Sequence, residues 1–322
     1  MRSARPGSGD SRAPRPAGRV SLRWRLAGLL RRVPEFRGRD RMTRLLIGAA
    51  PPPDGVHEGV FGPSLRYRAC YRDDGSFLDF FFLQYEEPSL APVLRASLQK
   101  GDTFFEVGAN IGIYATWGAR IVGNEGRVYA FEPVPDTARH LIDLVDLNAL
   151  HNVILVPHAV SAKPGKLTLR ILPHASGLSS AVESFDGEAT ESITVEAVAI
   201  DSFIATAGAT RPQLLMIDVE GWEFEVICGA HGLLTGSSPP AVLFESHETR
   251  FLSAGTSFVE VHRWFEREAG YRLYGLTPRG LELLTSGATK PGSANTLALR
   301  PGEHAAILER LRHHRFRRNQ SC

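Results

Sequence analysis

The chain has 322 residues, 43% hydrophobic and 22% charged, enough for one large α/β domain with appendages. Cys70, Cys228 and Cys322 are widely spaced with no Cys-x-x-Cys pair, which excludes a disulfide framework and a zinc site and makes the reducing cytoplasm the expected compartment. The net charge of +2 is unevenly spread: thirteen arginines in residues 1–44 against Asp10, Glu35 and Asp40 put that stretch at +10 and leave −8 for the rest.

Through about Gly18 the chain is rich in Arg, Pro, Gly and Ser, a composition that buries too little apolar surface to offset its ordering entropy, so disorder is expected. Between Val20 and Val33, Leu22, Trp24, Leu26, Leu29 and Leu30 interleave with arginines as in a short basic amphipathic helix. Two readings stand for it: a surface that docks on anionic lipid or nucleic acid, or a solvated leader without a dedicated partner, which is the simpler. The apolar run Leu26–Leu30 is too short for a signal peptide, and no stretch is long enough to span a membrane.

Pro51-Pro52-Pro53-Asp54-Gly55 reads as a linker. Strands are expected at 65–68 and 77–83, joined by the turn Arg72-Asp73-Asp74-Gly75, followed by a helix to about Gln99. Beyond Gly101, strands at 103–107, 128–131, 153–156, 214–217 and 241–244 alternate with helical segments, among them 111–122 and 222–234. The runs are apolar without alternation, as in strands covered on both faces, so the fold is expected to be α/β, with a doubly wound, mostly parallel sheet. Two more strands are read at 167–172 and 193–199, with a long Ser-, Gly- and acid-rich connection at 173–190, and the tail from Glu303 reads as a final helix with a basic end. The domain layout is then a basic leader (1–50), a hairpin and helix cap (51–100), the α/β domain (101–303) and a basic tail (304–322).

Ligands in such a sheet collect at the carboxyl ends of the strands. The first strand ends in Glu106-Val107-Gly108-Ala109-Asn110-Ile111-Gly112, a glycine turn that opens a helix. Glu132 ends the second strand, twenty residues past Gly112, where a carboxylate can accept hydrogen bonds from both hydroxyls of a ribose. The glycines fall as Gly-x-x-x-Gly, not Gly-x-Gly-x-x-Gly, and acidic Glu106 suits a cationic ligand better than a diphosphate, which favours S-adenosylmethionine over NAD.

Three segments, Phe105-Glu106-Val107-Gly108-Ala109-Asn110-Ile111-Gly112, Ala130-Phe131-Glu132-Pro133 and Ile217-Asp218-Val219-Glu220-Gly221-Trp222-Glu223, resemble the successive signatures of the FkbM family of S-adenosylmethionine-dependent methyltransferases. Glu106 stands where that family more often has Asp, and Trp222 replaces a smaller residue. The resemblance covers about 84–300. It implies a Rossmann-like class I methyltransferase fold with an N-terminal β-hairpin and helix extension, and methylation of an oxygen on a small molecule, sugar or natural product. Cofactor contacts are expected from Glu106, Gly108, Asn110, Gly112, Glu132, Pro133, His158, Ala159 and Asp218, and from Tyr85, which precedes the first strand in a Tyr-Glu-x-Pro segment.

An alcohol acceptor needs a base. Asp218 is the first choice, with Glu220, Glu245 and His247 as further catalytic candidates and Glu248 as another base. Glu220 has an equal reading as a helix cap. Asp218 and Glu245 occupy strand ends resembling those that carry magnesium in catechol-type O-methyltransferases; a divalent metal is nonetheless not expected. No Asp-Pro-Pro-Tyr, Asn-Pro-Pro-Tyr or Pro-Cys nucleophile appears, so nucleic acid is not an expected substrate and a small-molecule or glycan acceptor is. The alternative is a cofactor-binding module without catalysis, tethered through its basic leader to a partner, nucleic acid or membrane surface.

Overall fold

The computed structural model describes residues 21–32, 39–48, 55–62, 64–70, 90–171, 181, 191–277, 279–285, 294–314 and 316. It divides into two compact units, Met1–Val60 with Tyr67–Tyr85, and Phe61–Arg66 with Glu86–Cys322.

In the first unit, helices α1 (Leu22–Arg32) and α2 (Arg39–Gly48) pack on each other. The amphipathic helix expected between Val20 and Val33 is α1, and the stretch through Gly18 lies outside the described residues. Strand β1 (Val56–Phe61) pairs with β2 (Leu65–Cys70). The strand expected at 65–68 is present as β2, and β1, which the sequence did not suggest, pairs with it. The expected strand 77–83, its turn and Tyr85 lie outside the described residues.

The second unit opens with α3 (Leu90–Ser97) and β3 (Thr103–Val107). It continues through α4 (Ile113–Val122), β4 (Arg127–Phe131), α5 (Pro135–Leu147), β5 (Val153–Val156), β6 (Ala159–Val160), β7 (Gly165–Ile171) and β8 (Glu191–Val198). Next come α6 (Ile200–Ala207), β9 (Leu214–Ile217), α7 (Glu223–Gly229), α8 (His231–Thr235) and β10 (Ala241–Glu245). The remaining elements are α9 (Glu248–Ser253), α10 (Phe258–Arg267), β11 (Arg272–Thr277), β12 (Gly280–Leu283), β13 (Asn295–Leu299) and α11 (Ala305–Leu311). The expected connection at 173–190 falls outside the described residues except for Ala181.

The main sheet has eight strands in the order β12-β11-β13-β10-β9-β3-β4-β5, and β6, β8 and β7 form a second small sheet. From β10 to β5 the strands are parallel. Every residue of β3 and β9 is buried, because helices cover both faces of the centre, whereas edge strand β5 leaves Ile154 exposed. Strand β13 runs antiparallel between β10 and β11, an extension that the sequence pattern did not reveal. Helix α10 shows how the cover is held: Phe258, Val261, His262 and Phe265 recur at helical spacing on its buried face, and Phe265 stacks on Phe244 of β10 at 5.4 Å.

The helix expected over 222–234 is two helices broken at Ala230. Asp201, from α6, accepts hydrogen bonds from the Gly232 and Leu233 N–H groups at 2.6 and 2.8 Å, so it caps a second helix start. The cap comes from thirty residues upstream, outside any local pattern.

Candidate functional site

The chain runs from β3 outward to β5 on one side and returns to β9 on the other, so the carboxyl ends of β3 and β9 flank the switch point of the sheet. Val107 and Ile217 lie side by side in register, and the Asp218 N–H donates to the Val107 carbonyl at 2.9 Å. Beyond β3 the backbone turns at Gly108, with φ +80°, where an added Cβ would lie 1.9 Å from the Asp218 carbonyl oxygen. At Gly112 an added Cβ would meet Leu141 of α5 at 2.7 Å. Both glycines are therefore demanded first by packing of the neighbouring strand end and helix. The Gly108 and Ala109 N–H groups both donate to the Phe131 carbonyl at 3.0 Å, so neither points at a ligand. Asn110 holds φ +49°, a left-handed conformation that asparagine tolerates better than most residues.

Glu132 ties this turn to the end of β4. Its Oε2 accepts from the Asn110 N–H at 2.9 Å and its Oε1 from the Val134 N–H at 2.8 Å, across Pro133. Each oxygen keeps a second lone pair for a ligand hydroxyl. Burial pushes this carboxyl up to about 7, against the pull of the two N–H groups. Glu106 is only 2% exposed. Burial, then the charges of Asp218 and Glu132, raise its carboxyl well above the usual range, while an N–H from Ala115 acts in the opposite direction.

Three buried polar atoms at these strand ends have no hydrogen-bond partner: Glu106 Oε2, Asn110 Oδ1 and His158 Nδ1. Each orphan costs about 1–3 kcal/mol, and a polar ligand relieves that cost. An acid, an amide and a ring nitrogen at the mouths of β3 and β5, with Glu132 between them, suit the ammonium and adenosine groups of S-adenosylmethionine. His158 closes β5, its N–H bonded to the Val156 carbonyl at 2.8 Å, and buried Ala159 begins β6.

A second group of residues sits where β9 and β10 end. The two strands are parallel with Ile217 beside Phe244, so Asp218, Glu220 and Glu245 come together, each offering a carboxylate oxygen within 4.8 Å of the others. Burial raises the Asp218 carboxyl above its ordinary value, and the Arg250 charge pulls it down. Arg250, in α9, pairs through Nη1 with Glu220 Oε2 and with Glu245 Oε2, the latter at 2.8 Å. His247 Nε2 stands 3.4 Å from Glu245 Oε1, and burial lowers its pKa, so it is neutral at pH 7. The donor set matches a hard divalent ion in type and spacing, but the guanidinium rests on two of the three carboxylates.

Two assignments change. Glu220 is not the helix cap: it precedes the helix at φ +57° and faces Arg250. The carboxylate at that helix start is Glu223, 1% exposed, whose Oε1 accepts from the Val219 and Gly221 N–H groups at 3.2 and 3.1 Å. Glu248 Oε2 accepts from the Phe258 N–H at 3.0 Å, a structural bond that weakens its claim as a base. Arg250 and Glu223 were not anticipated. Glu223, placed two residues after Gly221 at a helix start, carried a readable capping signal; Arg250 did not, because one partner, Glu220, lies thirty residues away in the turn after β9.

The model of the Methyltransferase FkbM domain matches residues 106–273. The hexuronic acid methyltransferase AglP of Haloferax volcanii is 29% identical over 161 residues, which cover 50% of this chain and 62% of that protein, so the chain spans under two thirds of that relative. Among solved structures, the O-methyltransferase TomG from Streptomyces achromogenes in complex with SAM is 13% identical with a TM-score of 0.39, covering 67% of this chain and 79% of that one. Aeropyrum pernix fibrillarin, with natively bound S-adenosyl-L-methionine, is 16% identical with a TM-score of 0.37, covering 65% and 74%. The domain match takes in the end of β3, the glycine turn, Glu132, Asp218 and the strands from β4 through β10, over half of the chain, and the protein belongs to the FkbM methyltransferase family.

Proposed function

We propose that this protein is an S-adenosylmethionine-dependent methyltransferase that methylates an oxygen of a sugar or another small hydroxylated acceptor. The observation that carries the reading is the pair of buried acids Glu106 and Glu132, on adjacent strands beside the glycine turn, with Glu106 Oε2 lacking a partner. Glu106 would hold the ammonium, Glu132 the ribose hydroxyls, and Asn110, His158 and Ala159 the surroundings of the adenosine. The bound cofactor supplies an electrophilic methyl group. Asp218 then accepts the proton of the acceptor hydroxyl, a role suited to a carboxyl raised by burial. His247, neutral at pH 7, is the next group able to take a proton. The relative that acts on hexuronic acid supports a glycan acceptor. Scattered cysteines support a cytoplasmic site of action, and no helix among the described residues is long and apolar enough to cross a membrane.

The test is calorimetric titration with S-adenosylmethionine, S-adenosylhomocysteine and NAD, with Glu132→Ala as control, followed by transfer of labelled methyl to hexuronic acid glycosides. Binding of the first two, lost in the variant, and label on an acceptor oxygen are the expected results. NAD binding alone, or label appearing on nitrogen, refutes the reading. For the leader, Leu22, Leu26 and Leu29 lie along one face of α1 and are 72%, 43% and 56% exposed, beside exposed Arg23 and Arg25. This favours peripheral contact with an anionic lipid surface. Sedimentation with phosphatidylglycerol vesicles, but not phosphatidylcholine vesicles, is the expected result, and a chain beginning at Pro51 should lose it.

A further inference from the structure

Three carboxylates crowd the end of β9 and β10, and like charges this close destabilise one another unless a cation sits among them. The cation among them is the Arg250 guanidinium. Its Nη1 contacts Glu220 and Glu245, whose side chains are only 12% and 14% exposed, and its charge reaches Asp218. Glu220 is held at φ +57°, where a residue with a Cβ is strained and persists only when its surroundings over-determine it. The pairing with Arg250 supplies that determination. His247, facing Glu245, is the other basic group there.

We propose that Arg250 is the built-in cation of the Asp218, Glu220 and Glu245 triad: it stands where a divalent ion would be ligated and makes the site metal-independent. Arginine suits the position because it stays charged at any pH the protein meets and one of its terminal nitrogens, with two hydrogens, faces both carboxylates. A divalent ion entering the triad must displace it. Removing the guanidinium then creates a metal site from groups already in place. The link to catalysis rests on the methyltransferase reading; the occupancy of the triad does not.

The experiment is Mn²⁺ binding followed by electron paramagnetic resonance on the full chain, without methyl donor or acceptor, so its outcome is independent of turnover. Wild type should show no stoichiometric site. Arg250→Ala should gain one site of at least about tenfold higher affinity, and Glu245→Gln on that background should remove the gain. Arg250→Lys, which keeps a charge, should stay like wild type. A stoichiometric Mn²⁺ site in wild type overturns the proposal whatever the variants do. So does an Arg250→Ala protein with a native circular dichroism spectrum and no gain. If that variant fails to fold, Arg250→Gln takes its place and the wild-type arm still decides.

Discussion

Glutamine at position 132 separates the charge of Glu132 from its shape. The wild-type carboxyl is 5% exposed and ionises at about 7 in the folded protein against an ordinary 4.5, chiefly because burial disfavours the charged form. A carboxyl raised on folding holds its proton more tightly in the folded state. Its contribution to stability is full below the unfolded value and is lost as pH rises to the folded one. Across that window the loss is about 3 kcal/mol, at 1.36 kcal/mol for each tenfold difference in proton affinity. Glu223, also pushed to about 7, adds a similar loss, whereas His247 and His304, lowered by burial, add stability as pH rises past their folded-state values toward 6.5 and beyond. The wild-type profile mixes these effects, and the difference between wild type and Glu132→Gln leaves the titration of Glu132 together with its repulsion of Glu106. Urea unfolding of the ligand-free proteins should show Glu132→Gln gaining about 3 kcal/mol on wild type between about pH 4.5 and about pH 7.5. Parallel profiles would refute the claim that burial holds Glu132 protonated.

Gly108→Ala combines a left-handed backbone, costing about 1–2 kcal/mol for a residue with a Cβ, with a contact against the Asp218 carbonyl that must shift β9. Denaturant titration should show a loss of about 2–5 kcal/mol, and calorimetry should show weakened S-adenosylmethionine binding. Asp218→Asn should lower kcat about 100-fold or more while leaving cofactor affinity within about threefold, as expected of a proton acceptor; unchanged turnover would remove Asp218 from the chemistry.

The strands of the central sheet were legible because each is a short, mostly apolar run, and in β3 and β9, buried on both faces, no alternating pattern remains. The expected spans at 103–107, 153–156 and 214–217 coincide with β3, β5 and β9. Glu132 and Asp218 directly follow β4 and β9, and Glu106 is the last residue but one of β3, so all three were legible as acids at the carboxyl ends of parallel strands. What local pattern cannot encode is a partner supplied from elsewhere. Asp201 capping α8 divides a helix that reads as continuous, and β13 inserts between β10 and β11 because antiparallel pairing there buries its five residues. Gly108 and Gly112 read as ligand glycines, yet the Asp218 carbonyl and Leu141 are what exclude a side chain. Sequence by itself determined the parallel part of the sheet, the strand-end acids and the family. Only the tertiary structure decided that Glu220 pairs with Arg250 and that Arg250 lies among the carboxylates, because charge pairing across strands depends on which strands become neighbours.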